Sequence, residues 1–390
     1  SEVNSGLYHR IPDSTLKNWE EKNEFTFDKT FLNESYTDIE KLINVSLMPE
    51  SNDQRASLKL KEGCDKLEWE CSEVPRWFKY NSKGHGTKQS MTETLIPKFL
   101  KNGGTLKTET EVISISSKNK INYVDTINKK GKNISFCSDF IFLSAGAINS
   151  PHLLLKSGYK RNIGKSLKLH PTFKFISLFE DKINSLENGV HVHQVKEFSP
   201  KISMGCSISS KGMLSVGLND CHHLSYISDW EKMSTYYSMI SPEGVGSVSN
   251  IPFFNSPFVR FSLTNKDYEN IYFGMEKLAE ILFSAGAKFL FPSVSSNLVI
   301  KSLDDLKKIR LLEKEKLNLM TIHLFSSIPI GGINNKFPLS PDGYLYENDS
   351  IYISDGSMLC DSPTVNPQGA IMAIARMNAI KFLSRLKNEI

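Results

Sequence analysis

Phe140–Gly158 reads FIFLSAGAINSPHLLLKSG, and the fold turns on how this stretch is read. Phe140–Leu143 is an unbroken apolar run, the pattern of a strand covered on both faces. Ala145 and Gly146 follow as a small-residue turn through which another backbone or a ligand can pass closely. Ser150 is placed to cap a helix, Pro151 suits its first position, HLLLKS forms its body and Gly158 stops it. Strand, tight turn and helix in this order make an α/β unit. Upstream, Thr105–Ile115, NKINYVDTIN and KNISFCSD are β-rich and separated by turn chemistry, so a small meander is expected to lead into the core strand.

Beyond this unit the texture changes. From Gly164 to Val294 there are alternating segments such as KFISLFED and KISMGCSISS, an aromatic FFNSPFVRF, and one clear helix near Ile271–Ala285 stopped by Gly286. That helix carries Met275, Leu278, Ala279, Leu282 and Phe283 on one face, which suits it to cover a sheet. After it come LNLMTIHLF, expected as a buried strand, a turn-rich loop from Gly331 to Asn348, the strand SIYISD and a final helix. The expected architecture is α/β: a discontinuous dinucleotide-binding domain over residues 1–163 and 331–390, with a sheet-based α+β domain inserted at residues 164–330.

A chain of 390 residues exceeds what one core usually serves. With 39% hydrophobic and 23% charged residues it reads as globular. Lys and Arg number 47 against 43 Asp and Glu, with no block of one sign, which argues against a nucleic-acid partner. Lys301–Lys316 mixes both signs over apolar residues at helical spacing and is expected to be an amphipathic helix. The six cysteines form no CxxC pair, and HVH (His191, His193) and HH (His222, His223) have no carboxylate or thiol at ligand spacing, so no metal is expected. Scattered thiols, no secretory signal and no apolar run of membrane-spanning length point to a soluble, cytoplasmic protein without a membrane span. Nucleophile-elbow, kinase and P-loop motifs are absent.

Two places could carry chemistry. Asp355-Gly356 ends a strand, and Asn366-Pro367 opens a helix apolar nearly all round, whose buried positive end calls for a negative partner. An ordinary capped helix and a helix end stabilising the anionic ring of a reduced flavin are both compatible with that pattern. His323 sits in an apolar run, either as a base working near neutral pH or as a hydrogen-bonded core residue. Phe253, Phe254, Phe258 and Phe261 could line a substrate or fill a core; packing is the commoner reason for such residues.

Taken together these segments resemble the glucose-methanol-choline (GMC) oxidoreductase family. The opening SEVNSGLYHRIP is similar to the family's stretch that follows a Gly-Gly pair and runs toward a tryptophan, here Trp19. FIFLSAGAINSPHLLLKSG is similar to its second signature, GKSLKLHP around His170 to the entry of its substrate domain, and TIHLFSSIPIGG with the DGS and NPQ block to its closing segments. The resemblance implies FAD as cofactor and a small-molecule alcohol as substrate, which loses a hydride from its CH–OH carbon. It implies His323 as the base and Asn366 as the group orienting the substrate oxygen. By the same resemblance Asn4 packs by the flavin, the backbone of Val112 contacts the adenine and Ala145-Gly146 provides the close approach. Asp355 and Gly356 approach the diphosphate and ribityl chain, while Asn366, Pro367 and Gln368 meet the ring. On that basis Asp355→Ala is expected to weaken FAD retention more than folding.

The family's G-x-G-x-x-G turn is not found in these residues. The expectation is that the N-terminal βαβ unit is missing, supplied either by an upstream segment or by a separate chain. A cofactor-free subunit or binding protein, and a flavin-containing lyase, are the alternatives. The electron acceptor, and so oxidase against dehydrogenase, stays open.

Overall fold

The computed structural model describes residues 4–49, 54–81, 86–186 and 191–389. The meander forms as expected, from strands Thr110–Lys118, Ile121–Asn128 and Asn133–Ser138, with a register shift between Val112 and Ser114. The strand Ile141–Leu143 then pairs in parallel with Asn348–Ile353, from the far end of the sequence. Chain segments on either side of the long middle region therefore share one sheet, which Tyr344–Leu345 extends on its other side.

The expectation of burial on both faces fails for this strand. It lies at the sheet edge among the described residues, and Phe142 is 41% exposed. Phe142 instead stacks on Tyr352, with ring centroids 5.0 Å apart, and meets Phe382 edge-on. An unbroken apolar run cannot distinguish a doubly buried strand from one whose outer side chains lie on an aromatic neighbour.

The following helix spans Gly146–Lys156 and so starts a turn before the expected Ser150 cap, leaving Pro151 inside it. Pro151 has no N–H for the carbonyl of Ala147, four residues back. Ser327 donates its hydroxyl to that carbonyl at 2.6 Å and removes the defect.

The middle region builds a six-stranded antiparallel sheet in the order Phe289–Pro292, Thr172–Leu178, Met233–Ile240, Ile202–Cys206, His193–Val195, Cys71–Glu73. The covering helix, Asn265–Ser284, opens with a capping box between Thr264 and Asp267, and buries Met275, Leu278, Ala279 and Leu282. Two elements cross the expected boundary at residue 163. Strand Cys71–Glu73 completes this sheet, and helix Arg55–Lys66 lies against the covering helix with Ala56, Leu60 and Cys64 in its core. In the other direction, Phe325, Ile328 and Ile330 pack into the first core with Trp19, Leu154, Ile353 and Ile374. Local patterning could not assign them, because each is placed by a partner distant in sequence.

Gly63 marks the tightest point between the two helices: a Cβ there would lie 2.1 Å from the backbone oxygen of Ile281. Gly63→Ala is expected to destabilise the protein by about 1–3 kcal/mol, the usual cost of overpacking. A urea midpoint equal to that of the wild type would show that the helices can separate freely.

Other expectations need correction. Lys301–Lys316 is a 3-10 turn (Leu303–Leu306), one α turn (Lys307–Arg310) and another 3-10 turn (Lys314–Lys316), because Leu306 and Ile309 are buried while Leu303 faces solvent. In Leu317–Phe325 only Leu324–Phe325 is strand, and Ile322 is 71% exposed. Phe253, Phe254 and Phe258 are exposed around the hairpin Gly246–Asn250 and Pro257–Phe261 rather than in a core. No helix among the described residues is long and apolar enough to cross a membrane.

Candidate active site

Asp355 follows strand Asn348–Ile353 and points into the turn that precedes helix Gly146–Lys156. Its Oδ2 accepts hydrogen bonds from the Gly146 amide at 2.8 Å and the Ser150 hydroxyl at 2.5 Å. Its Oδ1 accepts from the Ser357 amide at 2.8 Å and the Ser357 hydroxyl at 2.5 Å. Ser150 thus serves the helix start by binding Asp355 and by accepting from the Ala145 amide at 3.0 Å. A buried carboxylate on the N-terminal turn of a helix is favourably placed in the helix dipole. Gly356 is wedged next door, where a Cβ would meet the Leu324 oxygen at 2.9 Å and Ile371 at 3.3 Å.

That wedge brings the segment around His323 against the start of the last helix, Gln368–Glu389. The helix's first backbone bond is Ile371 N–H to the Pro367 carbonyl, at 3.0 Å. Asn366 precedes it, and its side chain reaches sideways: Nδ2 lies 3.4 Å from His323 Nε2, and Oδ1 accepts from Gln194 Nε2 at 3.2 Å. The two residues singled out for catalysis are therefore adjacent.

His323 is backed by a relay. Its Nδ1 is 3.0 Å from His170 Nδ1, His170 Nε2 is 2.7 Å from Ser362 Oγ, and the Ser362 hydroxyl donates to Ser241 Oγ at 3.1 Å. Thr321 Oγ1 holds the His323 backbone, accepting from its amide and donating to its carbonyl. Burial pushes the His323 imidazole down to about 4. His170, fully enclosed and beside His323, is held well below the ordinary histidine value. Both rings are neutral at neutral pH.

The donor order fixes the tautomers. With the Ser362 proton given to Ser241, His170 Nε2 must be the donor to Ser362, and His170 Nδ1 is then the acceptor. His323 Nδ1 carries the proton it donates to His170, which leaves the lone pair on His323 Nε2, next to Asn366.

The sequence does not single out Gln194, Tyr237, His9 or Lys196, which complete the cluster. Gln194 Nε2 also donates to the Tyr237 hydroxyl at 2.9 Å. Burial raises Tyr237 to about 12, so its phenol stays protonated. His193 points the other way and binds Ser57 at 2.8 Å. Strand alternation within HVHQVK was the available signal, since it places Gln194 and Lys196 on one face and His193 on the opposite one.

The remaining expected residues lie outside this cluster. Asn4 Oδ1 accepts from the Gly6 amide at 2.8 Å, turning the chain alongside strand Arg76–Tyr80. Val112 is 39% exposed at the start of the meander. Ala145 and Gly146 form the open turn above Asp355; Gly146 has a φ of +90°, and nothing lies within 4 Å of where its Cβ would be. Pro367 is buried and Gln368 opens the last helix.

The profile of the GMC oxidoreductase family matches residues 1–172. A GMC-type oxidoreductase of Sinorhizobium fredii is 30% identical, across all of this chain and 80% of its own length. A long-chain-alcohol oxidase of Arabidopsis thaliana is 21% identical, again across all of this chain but 59% of its own length. Among solved structures, pyridoxine 4-oxidase from Mesorbium loti superposes with a TM-score of 0.70 at 13% identity, covering 98% of this chain and 82% of that one. At that identity the likeness is one of fold, a mixed α/β architecture.

Proposed function

The chain belongs to the GMC oxidoreductase family, and from that premise we propose that it oxidises the CH–OH group of a small-molecule alcohol, with FAD as hydride acceptor and His323 as base. The observation that carries this reading is the geometry around His323, Nδ1 on His170 and Nε2 facing the Asn366 amide, from which a neutral imidazole with a basic Nε2 follows. An alcohol oxygen between the two would give its proton to Nε2 and receive a hydrogen bond from Asn366 Nδ2, so the charge developing on oxygen meets a donor as the proton leaves. His170, Ser362 and Ser241 hold the lone pair on that nitrogen. They are positioning residues.

The residues present fit FAD. The first-turn amides of helix Gln368–Glu389 lack partners within the helix, and this end is brought to the cluster by Gly369, whose Cβ would lie 2.2 Å from the His9 oxygen. Open space above Gly146 and the exposed Val112 leave a second surface for the remote part of the cofactor. Asn366, Pro367 and Gln368 would hold the ring, with Ala145, Gly146 and Val112 toward the other end. When bound, FAD supplies the acceptor for the hydride that leaves the carbinol carbon. In this reading residues 1–163 and 331–390 make the FAD-binding domain and residues 164–330 the substrate domain, apart from the crossing segments described above.

The test is anaerobic addition of alcohols to the FAD-loaded protein, beginning with primary alcohols of graded chain length because distant relatives are long-chain-alcohol oxidases. Loss of flavin absorbance with release of an aldehyde, ketone or lactone is the expected result. A flavin that stays oxidised across neutral and charged alcohols alike would overturn the assignment.

A further inference from the structure

Lys196 brings a positive charge to the edge of the catalytic cluster without an ion-pair partner among the described residues. It follows Gln194 at strand spacing, so both side chains leave the same face. Its Nζ donates to Gln194 Oε1 at 3.2 Å and lies 3.1 Å from His9 Nε2. Both partners are neutral. Burial, and the ammonium beside it, push His9 down to about 3. Among the described residues Lys196 forms no ion pair. Of the nearby acids, the Glu197 carboxylate accepts from the Glu70 amide at 3.1 Å, while Glu70, whose backbone oxygen accepts from the Lys196 amide at 2.8 Å, favours the ammonium through its charge without pairing with it. Burial depresses the ammonium's pKa, the condition an incoming anion relieves.

His9 adds a second observation. With Nε2 accepting from Lys196, the ring proton is on Nδ1, and this buried N–H has no hydrogen-bond partner. A lysine outside any ion pair among the described residues and a donor without an acceptor thus stand side by side, one glutamine amide from Asn366.

We propose that Lys196 recognises a carboxylate on the substrate, which makes the substrate a hydroxy acid with its reacting hydroxyl between His323 and Asn366. The span from Asn366 across the Gln194 amide to Lys196 suits a linker of a few carbons. This assignment rests on the reading of the site as an alcohol-oxidising centre.

The experiment compares a neutral primary alcohol with the ω-hydroxy carboxylate of the same chain length, in FAD-loaded wild type and in Lys196→Met, which keeps the stem and removes the charge. The substitution is expected to lower kcat/KM for the hydroxy acid at least tenfold more than for the neutral alcohol, chiefly through KM. Equal losses on both substrates, or none on the hydroxy acid, would overturn the proposal. A second readout needs no turnover: a short saturated carboxylate should raise the melting temperature of the wild type and not that of Lys196→Met. If the carboxylate shift appears while no alcohol reduces the flavin, the oxidation reading fails and the anion site stands. If alcohols react and no shift or discrimination appears, the anion site fails alone.

Discussion

His323→Ala is expected to slow alcohol-dependent flavin reduction by about 100-fold or more, the usual worth of a positioned base, while leaving flavin bound. The reason is specific to Nε2. It is the basic nitrogen left in the cluster once the relay through His170, Ser362 and Ser241 has fixed the protons. Stopped-flow reduction of the variant at saturating alcohol measures the effect, and a rate equal to that of the wild type would remove His323 from the chemistry. A pH consequence accompanies it. The base must be unprotonated to act, and burial holds its pKa near 4, so kcat/KM should stay level as pH falls through 6.5 and decline only near 4. An acid limb centred at 6.5 would mean an imidazole open to water.

Asp355→Ala is expected to destabilise the protein by about 3–4 kcal/mol, among the larger single-residue effects. The carboxylate receives four hydrogen bonds, from the Gly146 amide, the Ser150 hydroxyl and both the amide and hydroxyl of Ser357. Removing it strands these donors at a buried helix start. The resemblance to the family alone suggested that cofactor retention would suffer first. The bond pattern reverses that order, because both oxygens are committed to the chain itself. Chemical denaturation of the cofactor-free protein separates the two, and an unshifted midpoint with poor FAD retention would restore the earlier expectation.

The sequence announced the parts of this site that depend on local chemistry. The strand and helix around Ala145-Gly146, the covering helix and the small meander followed from periodicity and turn residues. His323 and Asn366 were legible only through the resemblance, since a histidine in an apolar run and an asparagine before a proline are each commonplace. What escaped was placed by distant partners. Helix Gly146–Lys156 starts early because Asp355 waits at its end. Gln194 and Lys196 acquire meaning only when His193–Val195 pairs with Ile202–Cys206 on one side and Cys71–Glu73 on the other. No window of sequence contains that arrangement.

The boundary-crossing segments bear on how the molecule comes apart. Cys71–Glu73 ends in the large sheet and Arg76–Tyr80 begins in a small one with Val45–Ser46, with Val74 and Pro75 as the whole connection. Val74 is itself tied down, its amide bonded to the Val192 carbonyl at 2.9 Å. Elsewhere, Leu324–Phe325 pairs with Lys168–Leu169 where the chain passes between the two cores. Stitched in this way, neither lobe can melt without pulling strands out of the other, so heating should produce one transition seen alike by fluorescence and circular dichroism. Among the described residues proteases should find no linker to cut that would release half of the protein intact.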